Sequence, residues 1–215
     1  MIINSVIGGA GGTSEILPDS SLYTTLSYIE TDGATAYINT DLSVNTTYKL
    51  TFEVQLTDPS INAALFGTRF SSSANRQVAF CPNNTTGNLI SYQCSTGNTA
   101  ITATGFTWDS TKKYTIVFEN DKITVDGTVH TTGTTGTGFY YVSLYPIRLF
   151  NFYTGTTQDT RFWKGRLYSL IVGYSSGNGI IRDFIPVQRI SDSKYGLWDK
   201  VGGTFYVGTG TFTGA

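Results

Sequence analysis

The sequence predicts an all-β protein, a two-sheet antiparallel sandwich behind a short amino-terminal arm, and three observations carry that prediction. Residues Tyr48 to Leu56 alternate without a break, with Tyr48, Leu50, Phe52, Val54 and Leu56 on one face and Lys49, Thr51, Glu53 and Gln55 on the other. Period two with one polar side marks a half-buried antiparallel strand. Similar short β-prone runs are separated by glycine-, asparagine- and serine-rich turns along most of the chain. No apolar stripe of helical period extends beyond a turn or two, and roughly ten to fourteen short strands demand a sandwich or a barrel.

Taken in order, residues 1–21 form an arm and residues 22–215 one β domain, a normal size for a single sandwich. In the arm, Ile2, Ile3, Val6 and Ile7 make a β-prone apolar strip, Gly8 to Gly12 a flexible hinge, and Pro18 to Ser21 a turn into the domain. A strip of this kind cannot form a core alone, so it is expected to attach or oligomerise, either by adding a strand to a partner's sheet edge or by packing with its own copies about a symmetry axis. Within the domain, strands are expected at Ala63 to Arg69, Gln77 to Phe80 and Asn88 to Tyr92. Tyr114 to Phe118 and Lys122 to Val125 should form a hairpin about Asn120-Asp121, with a second turn at Asp126-Gly127. Further strands follow at Phe139 to Leu144, Ile147 to Phe152 and Leu167 to Val172. In the last thirty-five residues Pro186 should end a strand and send the chain across the domain surface, anchored by Phe184, Leu197, Trp198, Phe205 and Phe212 plugged into the core.

Composition excludes several functions. Of the residues 40% are hydrophobic but only 13% charged, so the surface is built from Thr, Ser, Asn and Gly, as in secreted, surface and virion proteins. The formal net charge of −1, with no basic run, argues against nucleic acid as a partner. No apolar run approaches the length of a membrane-spanning helix, and Met1 to Gly9 lacks the charged and apolar regions of a signal peptide, so a protein released without a leader is expected. Cys81 and Cys94 flank an asparagine-rich turn and stand either as a cross-hairpin disulfide or as two free thiols.

Catalytic patterns are absent. A retaining glycosidase strand of the type Glu-x-Asp-x-x-Glu needs two carboxylates facing one cleft; the nearest match, Glu119-Asn120-Asp121, has Thr124 at the third position and falls on a hairpin tip. His130 is the only histidine, with no nucleophile elbow and no second base. No loop has a dense acidic cluster, so neither a metal nor a cofactor is predicted. What remains is a surface. Fourteen tyrosines and three tryptophans exceed the needs of a core of this size. Tyr140, Tyr141, Tyr145, Arg148, Asn151, Tyr153 and Trp163 bring rings and polar groups together in the way that suits the apolar faces and hydroxyl edges of sugars.

The carboxyl-terminal stretch carries a resemblance. Arg182-Asp183-Phe184-Ile185-Pro186, then Gly196-Leu197-Trp198-Asp199, then Thr204-Phe205-Tyr206 closing on Gly208 to Phe212, resembles the end of a concanavalin-A-like or laminin-G-like jelly-roll domain of bacteriophage and prophage virion proteins. Trp198 stands where that family more often has tyrosine. Looser similarity covers Tyr28-Ile29-Glu30, Tyr37 to Thr40, Val125-Asp126-Gly127 and Lys164 to Tyr168, so that the resemblance spans residues 22 to 214. It implies a jelly roll with one concave and one convex sheet, in which Arg182, Asp183, Phe184, Pro186, Gly196, Trp198, Asp199 and Phe205 pin the chain crossing. It further implies a non-enzymatic protein on the virion surface: a capsid decoration, head-fibre or tail-adhesion component. Such a protein would be a homo-oligomer held to other virion proteins by its arm and would bind host or mucosal glycans. The alternatives are a carbohydrate-binding module or adhesin of a gut bacterium and, behind it, a glycoside hydrolase with an unfamiliar carboxylate pair.

Overall fold

The computed structural model describes residues 15–45, 47–58, 63–68, 78–83, 88–95, 97–103, 106–119, 122–130, 145–151, 153 and 160–215, with 78–83, 88–95 and 97–103 described by their backbone pairing. The arm residues Ile2, Ile3, Val6 and Ile7 and the expected strand holding Tyr140 and Tyr141 lie outside these residues.

The described strands are antiparallel and fall in two sheets. They are β1 (Tyr23–Thr25), β2 (Ile29–Thr31), β3 (Tyr37–Asn39), β4 (Tyr48–Leu56), β5 (Phe66–Thr68), β6 (Val78–Asn83), β7 (Asn88–Ser95), β8 (Gly97–Ala103) and β9 (Tyr114–Glu119). The chain continues through β10 (Lys122–Val125), β11 (Thr128–His130), β12 (Arg148–Leu149), β13 (Gly165–Tyr174), β14 (Ile180–Arg189), β15 (Tyr195–Asp199), β16 (Thr204–Thr209) and β17 (Phe212–Gly214). The first sheet runs β11-β10-β9-β4-β13. At the far edge of β13 lie β2 and then β14, which leads on to β15 and β16. The second sheet runs β16-β3-β12-β5-β6-β7-β8. β16 belongs to both: its first part pairs with β15, and Gly208 and Thr209 pair with β3, so one strand carries the chain around the sandwich edge.

The predicted alternation of β4 holds to the residue, with Leu50, Phe52, Val54 and Leu56 each at most 1% exposed. Phe52 stacks across the interior on Phe66 of the second sheet, centroids 5.2 Å apart, and Phe118 meets Phe66 edge-on. Burial of such rings supplies about 1.5–3 kcal/mol each, which is how two sheets with few charges hold together. The Asp126-Gly127 turn also lies where predicted, with φ of 47° and 81°, the left-handed pair that a two-residue hairpin requires.

Three expectations need correction. Pro186 does not end a strand; β14 runs ten residues through it. On one edge β14 pairs with β15, and on the other with β13 up to Phe184 and with β1 from Val187. The Pro186 carbonyl accepts from Leu26 N on that second edge, so its imino nitrogen also points there, into the gap where one neighbour hands over to the next. No ladder donor is lost. Second, Trp198 and Phe205 do not enter the core as Phe184, Leu197 and Phe212 do. Alternation sends them outward, against Tyr23 at 5.1 and 5.2 Å, as a satellite cluster on the far side of the sheet. Third, the strand expected from Ile147 to Phe152 is two residues long, because Phe150 turns to φ 65°. The cysteines are also placed by register. Cys81 lies opposite Ile90, four positions from Cys94, about 13 Å along the strand and beyond disulfide reach.

Candidate functional site

The aromatic residues proposed from sequence separate into two groups. Trp163 and Asn151 are completely buried and cannot meet a ligand. Trp163 is a core ring whose backbone joins Phe150 and Thr31, and this corrects the expectation that it belonged to an exposed platform. Tyr145, Arg148 and Tyr153 do come together, on the outer face of the second sheet. Leu149 pairs with Ile38 and Phe66 and faces the core, so Arg148, which pairs with Asn39 and Gly67, faces away from it. Phe150 reinforces the division. Its left-handed φ places two successive apolar side chains, Leu149 and Phe150, in the interior and leaves Arg148 alone on the other side.

Arg148 is 7% exposed. Its guanidinium carbon lies 4.2 Å from the Tyr37 ring centroid and 4.7 Å from that of Tyr153, and Tyr145 meets Tyr153 edge-on at 5.7 Å. Nε donates to Asn39 Oδ1 at 2.9 Å. Among the described residues no carboxylate pairs with it, and the Nη groups have no protein acceptor. Burial pulls the Arg148 pKa below the ordinary arginine value, and the tyrosines oppose that only in part. The guanidinium still carries its charge at any physiological pH. Tyr37 and Asn39 were not singled out as site residues in the sequence; the available signal was their alternation about the core residue Ile38. The register continues from Gly67 to Ala79, Tyr92 and Ala100, so two small residues follow Arg148 across the sheet.

The carboxyl-terminal signature forms a different kind of cluster. Asp199, 1% exposed, accepts from the backbone N–H of Asp183, Val201 and Gly202. Arg182 Nε is 3.3 Å from Asp199 Oδ2 in a charge contact without hydrogen-bond alignment, and its Nη2 is 3.5 Å from Asp41. Lys200 joins Asp183 at 2.7 Å to Glu15 at 3.2 Å. Burial would lower the Lys200 pKa, but these two carboxylates outweigh it and raise the value. Tyr206 donates to Asp41 at 2.6 Å, and burial followed by that carboxylate pushes its pKa up to about 12. At Gly196 a Cβ would run into the Tyr206 carbonyl and the Phe205 ring, which explains the glycine. Trp198 Nε1 donates to Ile16 O and Ile16 N to Lys200 O, so the same cluster fixes where the chain enters the domain. Every charge here has a partner.

Neither catalytic candidate gains a companion among the described residues. Glu119 lies 3.9 Å from Lys122, and His130 stacks edge-on against Phe106 at 5.6 Å. No group of three or more metal-ligating side chains occurs among the described residues.

No family model matches the chain, and no curated protein matches it. Solved structures do. The CBM40 of the Ruminococcus gnavus IT-sialidase superimposes with a TM-score of 0.53 at 14% identity, over 72% of this chain and 92% of that one. A K499G mutant of NanB sialidase from Streptococcus pneumoniae gives 0.49 at 13% identity over 69% of this chain, which spans 26% of the NanB chain. Domains LG4-5 of the mouse laminin alpha1 chain give 0.49 at 12% identity, over 86% of this chain and 52% of theirs. With the two antiparallel sheets described above, the CBM40 superposition establishes the chain as a concanavalin-A-like jelly roll.

Proposed function

We propose that this domain is a non-enzymatic glycan-binding module whose contact face is the outer side of the second sheet about Tyr37, Arg148, Tyr153 and Tyr145. The observation that carries the reading is the Arg148 cluster: a charged donor held against two rings and oriented by Asn39, with its outer nitrogens left for a ligand. Rings present flat apolar area to sugar C–H faces while the donors take hydroxyl or other oxygens. The fold shared with a carbohydrate-binding module supports it. Displayed as a multivalent array, the protein should retain glycans that it binds weakly as a single copy. A glycan array on which the multivalent form stays silent overturns the reading.

We further place the module on the surface of a bacteriophage particle, as a decoration, head-fibre or tail-adhesion component, on the resemblance of residues 182–212 to virion jelly rolls. None of the superimposed structures named above is a virion protein, and a carbohydrate-binding module or adhesin of a bacterium accounts for the site equally well. The arm is the discriminating part. Ile16 and Glu15, which follow residues 1–14, are fixed to the domain by contacts to Trp198 and Lys200. As a virion anchor or an oligomerisation device, the arm should be removable without loss of fold. Deleting residues 1–14 should leave the melting transition unchanged while abolishing incorporation into particles or assembly. A truncated protein that assembles like the intact chain sinks the attachment role.

A further inference from the structure

Three other arginines meet carboxylates; among the described residues Arg148 meets none. Arg166 lies 2.8 Å from Glu30, Arg189 2.7 Å from Asp192, and Arg182 within 3.5 Å of both Asp199 and Asp41. Each of those three is also more exposed than Arg148, so water could have served them in part. Burying a guanidinium without a counter-charge is costly, and such a group is ordinarily paired. The two tyrosine rings supply only the partial negative charge of their faces. The pairing at Arg148 is therefore incomplete among the described residues. A structural role for the arginine does not account for this, since a neutral side chain of similar volume would fill the space without the desolvation.

We propose that the glycan bound here carries a carboxylate, and that Arg148 receives it through both Nη groups. The proposal rests on the glycan-binding reading and narrows it to acidic sugars. Asn39 occupies Nε and sets the plane of the guanidinium, so the outer edge presents two coplanar N–H groups at the spacing of carboxylate oxygens. Tyr37 and Tyr153 then flank the ligand rather than merely the arginine, and offer ring faces to the sugar that bears the acid. Gly67, next to Arg148 on the same face, adds no side chain to block that approach.

The test compares ligands that differ only in the acid. Calorimetric titration would set trigalacturonate against its methyl ester, and 3′-sialyllactose against lactose and 3′-sulfated lactose, backed by an array of neutral, uronic, sialylated and sulfated glycans. A carboxylated member should bind about 10- to 100-fold tighter than its neutral counterpart, the range of one charge-assisted contact, and less tightly as salt is raised. Arg148→Lys keeps the charge but loses the fork, and should weaken that ligand by about tenfold. Asn39→Asp supplies the missing carboxylate from within; Asn39 is exposed, so the variant should fold, melt no lower than the parent, and lose the acidic ligand. Equal affinity for neutral and carboxylated partners would overturn the proposal and leave glycan binding standing. A preference for the sulfated sugar, or an Asn39→Asp variant that binds the acid unchanged, overturns it as well. Silence on the whole array removes both readings together.

Discussion

Two arginines lie against tyrosine rings on the outer faces of the two sheets, and their surroundings differ in one respect. Arg166 on β13 sits 4.5 Å from the Tyr28 ring, with Tyr168 5.7 Å from Tyr28, and pairs with Glu30 directly across the strand ladder. That hydrogen bond, opposed by desolvation, raises the Arg166 pKa. Arg148 on β12 has the same ring contact twice over, yet the polar group across its ladder is the neutral Asn39, and burial lowers its pKa. On the first sheet the cluster is closed: Tyr168 bonds to Gln55, Gln55 to Ser110, and Lys113 to Glu53. Such a ladder serves to hold strands in register. On the second sheet no carboxylate among the described residues closes the cluster. On the proposal made above, a ring–arginine pair is a structural element when the protein supplies its own carboxylate and a recognition element when it does not.

The largest expected effect follows from removing each arginine. Arg148→Ala should weaken the acidic glycan by about 10- to 100-fold, whereas Arg166→Ala should leave affinity within about twofold and lower stability by about 1 kcal/mol or less, the range for an exposed pair. Calorimetry on both variants with the same ligand measures this. Equal losses in the two variants would mean that the arginines act through the fold and that the comparison is empty.

Sequence reasoning reached the fold and half of this site. Strand β4 and the Asp126-Gly127 turn were legible because each is decided locally, one by alternation and the other by the residues a left-handed turn tolerates. β14 was not, because Pro186 breaks a strand unless the neighbour at its imino edge is missing, and which strands flank it is a tertiary fact. The site was half legible for the same reason. Arg148, Tyr145 and Tyr153 are close in sequence, but Tyr37 and Asn39 come from more than a hundred residues away, and only the pairing of β12 with β3 unites them. Asn151 was misplaced because the reversal at Phe150 breaks the alternation that would have assigned its face, and Trp163 because it precedes β13 in a segment with no strand alternation to assign one.

The rings themselves provide the next effect in size. Replacing Tyr37 or Tyr153 by Ala should lower glycan affinity by about 3- to 10-fold, through lost ring contact with the sugar and with the guanidinium. Tyr28→Ala on the first sheet should not change it. If Tyr28→Ala weakens the ligand as much as Tyr153→Ala, the binding face has been assigned to the wrong sheet.

Alkaline pH gives a further separation, because Tyr206 lies in neither arginine cluster. Its folded pKa, about 12, is above the ordinary tyrosine value of 10.0. The stability that this confers is therefore complete below pH 10 and is lost as pH rises toward 12. The melting temperature should fall across that window, and Tyr206→Phe should flatten the decline. Glycan affinity should not change between pH 6 and 9, since a guanidinium does not titrate there. An affinity that falls within that lower range would point to a titrating group other than Arg148.

The smallest effect comes from making the first sheet imitate the second. Glu30→Gln removes the carboxylate from Arg166 while preserving shape, leaving an arginine on a tyrosine ring with a neutral amide across the ladder, the arrangement that Arg148 has with Asn39. The Arg166 side chain is 33% exposed, so water replaces the lost partner. The cost should be about 0.2–1 kcal/mol, equivalent to a drop of about 0.4–4 °C in melting temperature for a domain of this size. The same solvation means that the new site should attract the carboxylated sugar only marginally, with no affinity change that calorimetry resolves. Burial, and not merely the absent counter-charge, is then what makes Arg148 a receptor for an acid. A Glu30→Gln variant that acquires a second acidic-sugar site of comparable strength would show instead that any unpaired arginine on a tyrosine suffices.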